Sequence, residues 1–150
     1  MVARYLGNDS DAKDAIQEVM IKLWEQRDKL NGHPNLNGYV FLTARNHCLD
    51  LLKKKKPNIV SNGHDSNFIK VEASRELEFR ELQDVIQKIL KQCPVKHSEV
   101  LILRDIDGLE YEEIAMVTYL KVTHVRVILS RTRKYVQHEL QKYYAYEYGK

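Results

Sequence analysis

Side chains suited to contact DNA are concentrated near the C-terminal end, in residues 109–136. Arginine can pair with guanine edges, hydroxyls can bond to bases or phosphates, and an exposed valine methyl can contact a thymine methyl. One helical face would carry all of these groups: Thr123, Val127, Ser130, Arg131 and Lys134, with His124 and Arg126 at its edges. The pattern predicts a surface that reads the DNA major groove.

Two predicted helices must position these side chains. The longer one covers about 122–136, because its apolar positions recur at intervals of 4, 3, 4 and 4 and therefore share one face: Val125, Leu129, Thr132, Val136 and Leu140. A shorter helix over about 111–118 precedes it across a tight turn, with the small Ala115 at the crossing. This is a predicted helix-turn-helix. A plain helical hairpin remains the alternative, although the apolar Val127 on the polar face favours DNA reading.

Composition indicates a folded, helical chain. Of its 150 residues, 43% are hydrophobic and 30% are charged, with only six glycines and three prolines, which suits an all-α fold of one ordinary domain or two small ones. The net charge of +3 says little about partners, whereas the distribution of charge says more. Basic residues dominate 45–56 and 121–142, and acidic residues dominate 72–84 between them. Two separate DNA contacts would produce this pattern.

Signals for other classes of protein are weak. No nucleotide-binding, metalloprotease or hydrolase motif is present, and the six histidines are scattered. Cys48 and Cys93 form no CxxC pair, so we expect reduced thiols in a cytoplasmic protein and no zinc. No apolar run reaches the roughly 20 residues that a membrane span needs. We therefore expect no catalytic residues, no metal and no cofactor.

Breaks in the helical pattern divide the chain. Gly7 can end a short first helix, and Asp9 or Ser10 can cap the next, predicted over about 11–26. Residues 31–38 are rich in Asn and Gly and predict a loop before a helix over about 36–55. Four lysines end that helix, where they could complement its dipole or contact phosphates.

Pro57 and the polar residues after it predict a change of domain. Residues 58–70 have no helical period, so we expect two small helical domains, 1–57 and 74–150, joined by a flexible linker at 58–73. Ser74 can cap a helix to about residue 92, and a further helix is predicted over about 95–105. The tyrosine-rich end, 143–150, is interpreted as a frayed helix end or an aromatic tail, with no assigned role.

Three segments, in this order, resemble bacterial RNA polymerase sigma factors of the extracytoplasmic-function (ECF) group. DAKDAIQEVMIKLW at 11–24 resembles the family's DAEDAVQEVFLKLW-like stretch, and ARNHCLDLLKKKK at 44–56 resembles its ARNxxxDxxRRxK helix. GLEYEEIAMVTYLKVTHVRVILSRTR at 108–133 is similar to its GLSYEEIAxxxGxSxxxVRxxLSRAR segment. The resemblance covers nearly the whole chain.

The resemblance implies a non-enzymatic, cytoplasmic factor that binds core RNA polymerase, directs it to a promoter and helps to open the duplex. The implied partners are core polymerase, promoter DNA and an anti-sigma factor, with no small-molecule substrate and no membrane insertion. The core-binding residues would be Asp11, Asp14, Gln17 and Glu18, with Leu23 and Trp24 behind or beside them. The minus-10 residues would be Asn46, Asp50, Lys53 and Lys54, with Asn31 and Asn35 in a loop that captures a flipped base. The minus-35 residues would be Lys121, Thr123, His124, Arg126, Val127, Ser130 and Arg131.

Departures from the family pattern concern three places. The family's first domain begins before the position that matches Met1, so we expect its core and its polymerase interface to be incomplete. Tyr119 stands at the family's turn glycine and would be strained at positive φ. Thr132 replaces a small alanine, a mild change. The alternatives are a helix-turn-helix regulator that acts without core polymerase and a helical adaptor that binds only protein.

Overall fold

All regular structure within the described residues is helical. The computed structural model describes residues 1–55 and 77–149. Helices α1 to α4 span Val2–Leu6, Asp9–Glu25, Arg27–Leu30 and Leu36–Lys55. Helices α5 to α8 span Leu77–Gln92, Val95–Leu101, Tyr111–Thr118 and Val122–Tyr148. The all-α prediction is confirmed, whereas the predicted linker at 58–73 and the proposed cap at Ser74 lie outside the described residues.

Helices α1 to α4 surround a small core. Val19 and Leu23 of α2 pack against Ala44 of α4. The first helix ends at Gly7, whose φ of 81° is left-handed and costs glycine little because it has no Cβ.

The cap of α2 differs from the prediction. We expected Asp9 or Ser10, but Asn8 has the extended backbone of a cap, and its side chain accepts a 2.7 Å hydrogen bond from the amide of Asp11. The Asn8 amide also donates to the Asp11 carboxylate at 2.8 Å. The helix therefore begins at Asp9, because Asn8 satisfies one of its free N–H groups.

Helices α5 to α8 enclose a larger core. Leu103, Ile114 and Val125 are fully buried and come from three different elements. Burial of each such side chain contributes about 1.5–3 kcal/mol. The predicted inner face of α8 is confirmed at Val125, Leu129 and Thr132, and Ile128, which we did not predict, is buried as well.

A wider helical turn follows α6. The prediction extended one α-helix to about residue 105, but Ile102–Ile106 forms a π-helical turn. The amide of Asp107 donates to the carbonyl of Ile102 at 3.0 Å, which is the five-residue spacing of a π-helix. Leu103 is fully buried, whereas Asp105 is exposed.

Helix α8 continues to Tyr148, well past the end that we predicted. Lys142 donates to Glu139 at 3.1 Å, and the rings of Tyr144 and Tyr148 stack with centroids 5.9 Å apart. These contacts between neighbouring turns favour the helix, and residues 143–148 continue α8 instead of forming the frayed end or tail that we predicted. Within residues 1–55 and 77–149, no helix has the length and apolar character that a membrane span requires.

The two domains pack against each other, an arrangement that we call the docked arrangement. Helix α4 lies along α7, and Phe41 and Leu42 pack against the core of the second domain. Arg4 donates two hydrogen bonds to the Asp107 carboxylate, at 2.7 and 2.6 Å. The sequence predicted two domains but contained no indication of this contact.

Candidate nucleic-acid interface

The first half of α8 has one buried and one open face. Val125 and Leu129 are 0% and 2% exposed. The opposite face is exposed at every residue predicted to meet the minus-35 element: Lys121, Thr123, His124, Arg126, Val127, Ser130 and Arg131. Val127 is 44% exposed, so its methyl groups are available for a contact outside the protein. This surface combines cations, hydroxyls and methyls on one rigid helix.

A tight turn joins α7 to α8. Thr118 is buried, and its hydroxyl donates to the carbonyl of Ile114 at 2.7 Å. Tyr119 then takes a left-handed backbone with φ 59°, and the amide of Leu120 donates to the carbonyl of Ala115 at 3.1 Å. The position therefore does have positive φ, and a bulky residue there is strained.

Two arginines approach the ring of Tyr111, the first residue of α7. The guanidinium carbon of Arg126 lies 5.0 Å from the ring centroid, and that of Arg104 lies 4.7 Å away. Both distances are within the range of a cation–π interaction. Arg104 also donates to the carbonyl of Leu109 at 2.8 Å, which fixes it beside the start of α7.

Arg133 is held further along α8. Its Nε donates to Asp105 at 3.0 Å, and a second nitrogen contacts the other carboxylate oxygen. The hydrogen bond with Asp105 raises the pKa of Arg133 above its ordinary value. The π-helical turn therefore supplies Arg104 beside the start of α7 and Asp105 beside Arg133 of α8.

A second polar surface lies on α4. The four residues predicted to contact the minus-10 element are exposed: Asn46, Asp50, Lys53 and Lys54. Lys55 next to them forms a 2.8 Å ion pair with Asp11. Lys53 and Lys54, exposed at the helix end, can lie along a phosphate backbone.

The loop before α4 places its two asparagines differently. Asn31 is exposed, whereas Asn35 caps α4 by accepting a 3.1 Å hydrogen bond from the amide of Gly38. The side-chain nitrogen of Asn35 donates to the carbonyl of Glu112 in the other domain at 3.0 Å. A Cβ on Gly38 would lie 2.7 Å from that nitrogen, so glycine leaves room for the Asn35 amide. In the docked arrangement Asn35 is therefore engaged within the protein.

The predicted core-binding residues occupy the outer side of α2. Asp14, Gln17 and Glu18 are exposed. A carboxylate oxygen of Glu18 lies 2.7 Å from Nε2 of the buried His47. Asp11 instead connects α2 to α4 through Lys55, so it is less available to a partner than the sequence indicated.

An apolar stripe on α2 escaped prediction. Ile16, Met20 and Trp24 are 48%, 58% and 68% exposed, and Ile21 beside them is 59% exposed. Ile16, Met20 and Trp24 recur at spacing 4, and of these the sequence analysis named only Trp24, as lying behind or beside the core-binding residues. The sequence did contain one indication of this exposure. Helix α2 has more apolar residues than its buried face can hold, because Ala12, Ala15, Val19 and Leu23 already fill that face.

Comparisons with known proteins agree with this architecture. Residues 1–57 match the family model for sigma-70 region 2, and residues 83–136 match that for sigma-70 region 4. The chain belongs to the ECF sigma factors. It is 25% identical to the ECF RNA polymerase sigma-E factor of Escherichia coli K12 over 152 residues, covering 94% of this chain and 79% of that protein. It is also 25% identical to the ECF sigma factor SigW of Bacillus subtilis 168, over 92% of this chain and 80% of SigW.

A solved sigma factor has the same fold. The sigma factor RpoE from Bartonella quintana, in complex with the anti-sigma factor NepR, matches with a TM-score of 0.59 and 22% identity, over 93% of this chain and 87% of that one. As a sigma factor, this protein directs promoter-specific initiation of transcription. Region 2 of this sigma factor contains α1 to α4, and the match to region 4 begins within α5 and ends within α8.

No metal site accompanies these surfaces in the part of the chain that the structure describes, since no three His, Cys, Asp or Glu side chains are grouped there. The two cysteines of this sigma factor are free, Cys48 buried and Cys93 half-buried. Burial raises the pKa of both thiols, so neither has the depressed pKa of a reactive cysteine.

Proposed function

We propose that three surfaces of this sigma factor each bind a different target. Helix α2 docks on core RNA polymerase, α4 and the loop before it contact the minus-10 element, and the start of α8 reads the minus-35 element. The observation that carries this proposal is the open face of α8, on which Arg126, Val127 and Arg131 are exposed opposite a fully buried face. The chain acts as an initiation factor in the cytoplasm and catalyses no reaction.

At the minus-35 element, the side chains on α8 have complementary roles. Arg126 and Arg131 can each donate two hydrogen bonds to a guanine, and Val127 can contact a thymine methyl. Lys121, Thr123, His124 and Ser130 can bond to phosphates or base edges. A single helix-turn-helix without a second copy covers little DNA, so free affinity should be low and should fall with salt.

At the minus-10 element, Asn46, Asp50, Lys53 and Lys54 form the duplex-facing side of α4. Capture of a flipped base costs a few kcal/mol for unstacking, which hydrogen bonds from Asn31 and Asn35 would offset. Asn35 can take part only after its bond to the carbonyl of Glu112 is broken. Asn31→Ala should therefore slow duplex opening while leaving closed-complex binding unchanged, as read by permanganate reactivity and by gel shift.

At core polymerase, α2 would combine two kinds of contact. Asp14, Gln17 and Glu18 can form charge-assisted hydrogen bonds with a basic partner. The exposed stripe at Ile16, Met20 and Trp24 supplies the apolar anchors that carry most of the energy of a typical interface. An acidic rim around an apolar stripe suits a basic, partly apolar helical surface on the polymerase.

The docked arrangement must open before both promoter elements can be bound. Elements centred at minus-35 and minus-10 lie roughly 25 base pairs apart, or about 85 Å at 3.4 Å per base pair. A compact chain of this length has a radius of gyration of about 15 Å. The two domains therefore have to separate on the polymerase, and the docked arrangement is the form of the free protein or of a protein held by an inhibitor.

An anti-sigma factor is the further partner that we propose. It would stabilise a compact form of the two domains and compete with core polymerase for α2. The sigma factor RpoE, which shares this fold, is solved in complex with the anti-sigma factor NepR. Co-purification of this chain with an anti-sigma factor from its own host, displaced by excess core polymerase, would support this partner.

Transcription by reconstituted polymerase tests the proposal as a whole. Arg126→Ala with Arg131→Ala should abolish promoter-directed transcription, and core polymerase should still be retained on the immobilised variant. Lys142→Ala is the matched control, because Lys142 is exposed further along the same helix and its partner is Glu139. Unchanged transcription by the double variant would contradict groove reading by α8, and failure of the wild-type chain to retain core polymerase would favour the adaptor alternative.

A further inference from the structure

Arg126 and Arg131 differ in how their side chains are held. Within the described residues, neither forms a hydrogen bond or an ion pair, but Arg126 lies against the ring of Tyr111 at 5.0 Å. Tyr111 is half-buried and packs against the core of the second domain. A rigid aromatic ring thus borders one of the two arginines and not the other.

The ring of Tyr111 also contacts Arg104, which belongs to the π-helical turn before α7. Arg104 lies 4.7 Å from the Tyr111 centroid and is tied by one guanidinium nitrogen to the carbonyl of Leu109 at 2.8 Å and to the Glu110 carboxylate at 3.4 Å. Glu110 in turn accepts from the first turn of α7 in a reciprocal cap with Glu113. Hydrogen bonds of the residues next to Tyr111 therefore hold it in place at the start of α7.

We infer that Tyr111 is a positioning residue that orients Arg126 for reading one base of the minus-35 element. An arginine side chain has many rotamers, and a bidentate contact restricts it to a few of them, which costs conformational entropy. The ring restricts the guanidinium before DNA arrives and leaves its N–H groups free to pair with a guanine. This inference rests on the proposed role of Arg126 as a base-reading residue.

The expected effect is local and selective. A cation–π contact at an exposed site corresponds to a change of about two- to fivefold in the population of the restricted rotamer. Loss of the ring should therefore weaken discrimination by about that factor at the base that Arg126 reads. Discrimination at bases read by Arg131 should stay unchanged, because that arginine has no contact with the ring.

Selection from a pool of duplexes with a randomised segment tests the inference. Reconstituted holoenzyme containing the wild-type chain, Tyr111→Phe, Tyr111→Leu, Arg126→Ala or Tyr111→Leu with Arg126→Ala would select bound duplexes for sequencing. Arg126→Ala identifies the base that depends on this arginine. We expect Tyr111→Leu to lose preference at that same base, Tyr111→Phe to keep it, and the double variant to match Arg126→Ala alone.

Several results would overturn the positioning role. Tyr111→Leu could weaken all base preferences equally, Tyr111→Phe could be as impaired as Tyr111→Leu, or Tyr111→Leu could add a further loss when Arg126 is absent. Thermal unfolding of Tyr111→Phe and Tyr111→Leu would separate a loss of stability from a loss of discrimination. Absence of any selected motif with the wild-type holoenzyme would instead refute the proposed function, and an Arg126→Ala profile equal to wild type would refute base reading by Arg126.

Discussion

Arg45 of α4 donates a 2.7 Å hydrogen bond from Nε to Oε1 of Glu99 of α6, across the boundary between the two domains. Their side chains are only 19% and 13% exposed. Burial acts to lower the pKa of Arg45, but the charges of Glu99 and Tyr5 and the hydrogen bonds to both together raise that pKa above its ordinary value. Burial, reinforced by Glu99, raises the pKa of the neighbouring Tyr5.

Loss of this ion pair should loosen the docked arrangement. Arg45→Ala leaves the Glu99 carboxylate partly buried without its cation, which costs about 1–3 kcal/mol. We expect a larger radius of gyration by small-angle X-ray scattering and tighter apparent binding to core polymerase, since less free energy is needed to separate the domains. High salt should have a similar but smaller effect.

The charge-reversed pair provides the control for that experiment. Arg45→Glu alone should open the protein, and Arg45→Glu with Glu99→Arg should restore a compact form. Lys142→Ala removes an exposed ion pair from α8 and should change nothing, because exposed pairs contribute little. An unaltered scattering profile for Arg45→Glu would show that the pair does not hold the domains together.

The apolar stripe on α2 should govern affinity for core polymerase. Met20→Gln and Trp24→Gln should each weaken binding by about tenfold or more, the loss expected for an interface anchor. Stability should change by no more than about 0.5 kcal/mol, because exposed positions contribute little to folding. Val95→Gln is the matched control, with a side chain that is 53% exposed on α6, and an equal loss for Val95→Gln would contradict a specific role for α2.

The turn at Tyr119 should become more stable with glycine. Tyr119 has φ 59° and is 72% exposed, so its side chain contributes little packing while its backbone is strained. Tyr119→Gly should raise the free energy of unfolding by about 1 kcal/mol, the cost of a left-handed backbone at a non-glycine residue. Tyr119→Ala retains the Cβ and should bring no gain. Chemical denaturation of the three proteins measures this difference, and equal stabilities would show that the turn carries no strain.

The carboxylate of Asp11 should titrate at unusually low pH. The hydrogen bond from Lys55, with a second from Asn8, holds its pKa below the ordinary 3.8. Because the pKa is depressed in the folded state, the stabilising contribution is complete above the unfolded value and disappears as pH falls through the folded value. Lys55→Gln should move the pKa upward, as followed by carboxyl NMR, whereas Lys13→Gln on the exposed side of α2 should not; no shift with Lys55→Gln would refute the pairing.

The spacing of apolar residues and the positions of turn residues account for most of the fold that we predicted. The bounds Leu36–Lys55 and Tyr111–Thr118 agree with the prediction, because helix periodicity and turn residues act over a few neighbouring positions. The exposed side of α8 around Val127 was predictable for the same reason. Strain at Tyr119 was predicted on the condition that its position in the turn has positive φ, and its φ is 59°.

Contacts between distant residues account for what the prediction missed. The number of apolar residues on α2 indicates more than one buried face can hold, but their spacing does not say which of them are covered, because only packing decides that. The cap at Asn8 and the π-helical turn of Ile102–Ile106 depend on small differences in backbone hydrogen bonding that composition does not resolve.

Residue types and spacing were enough to predict an all-helical sigma factor with a basic, open face on α8, because side-chain spacing sets which face of a helix can be buried. The docking of the domains, and the hydrogen bond from Asn35 to the carbonyl of Glu112, 77 residues away, became visible only in the folded chain. Folding also placed the ring of Tyr111 against Arg126. Such contacts depend on how whole helices pack against one another, and the spacing of residues along one helix carries no information about its neighbours.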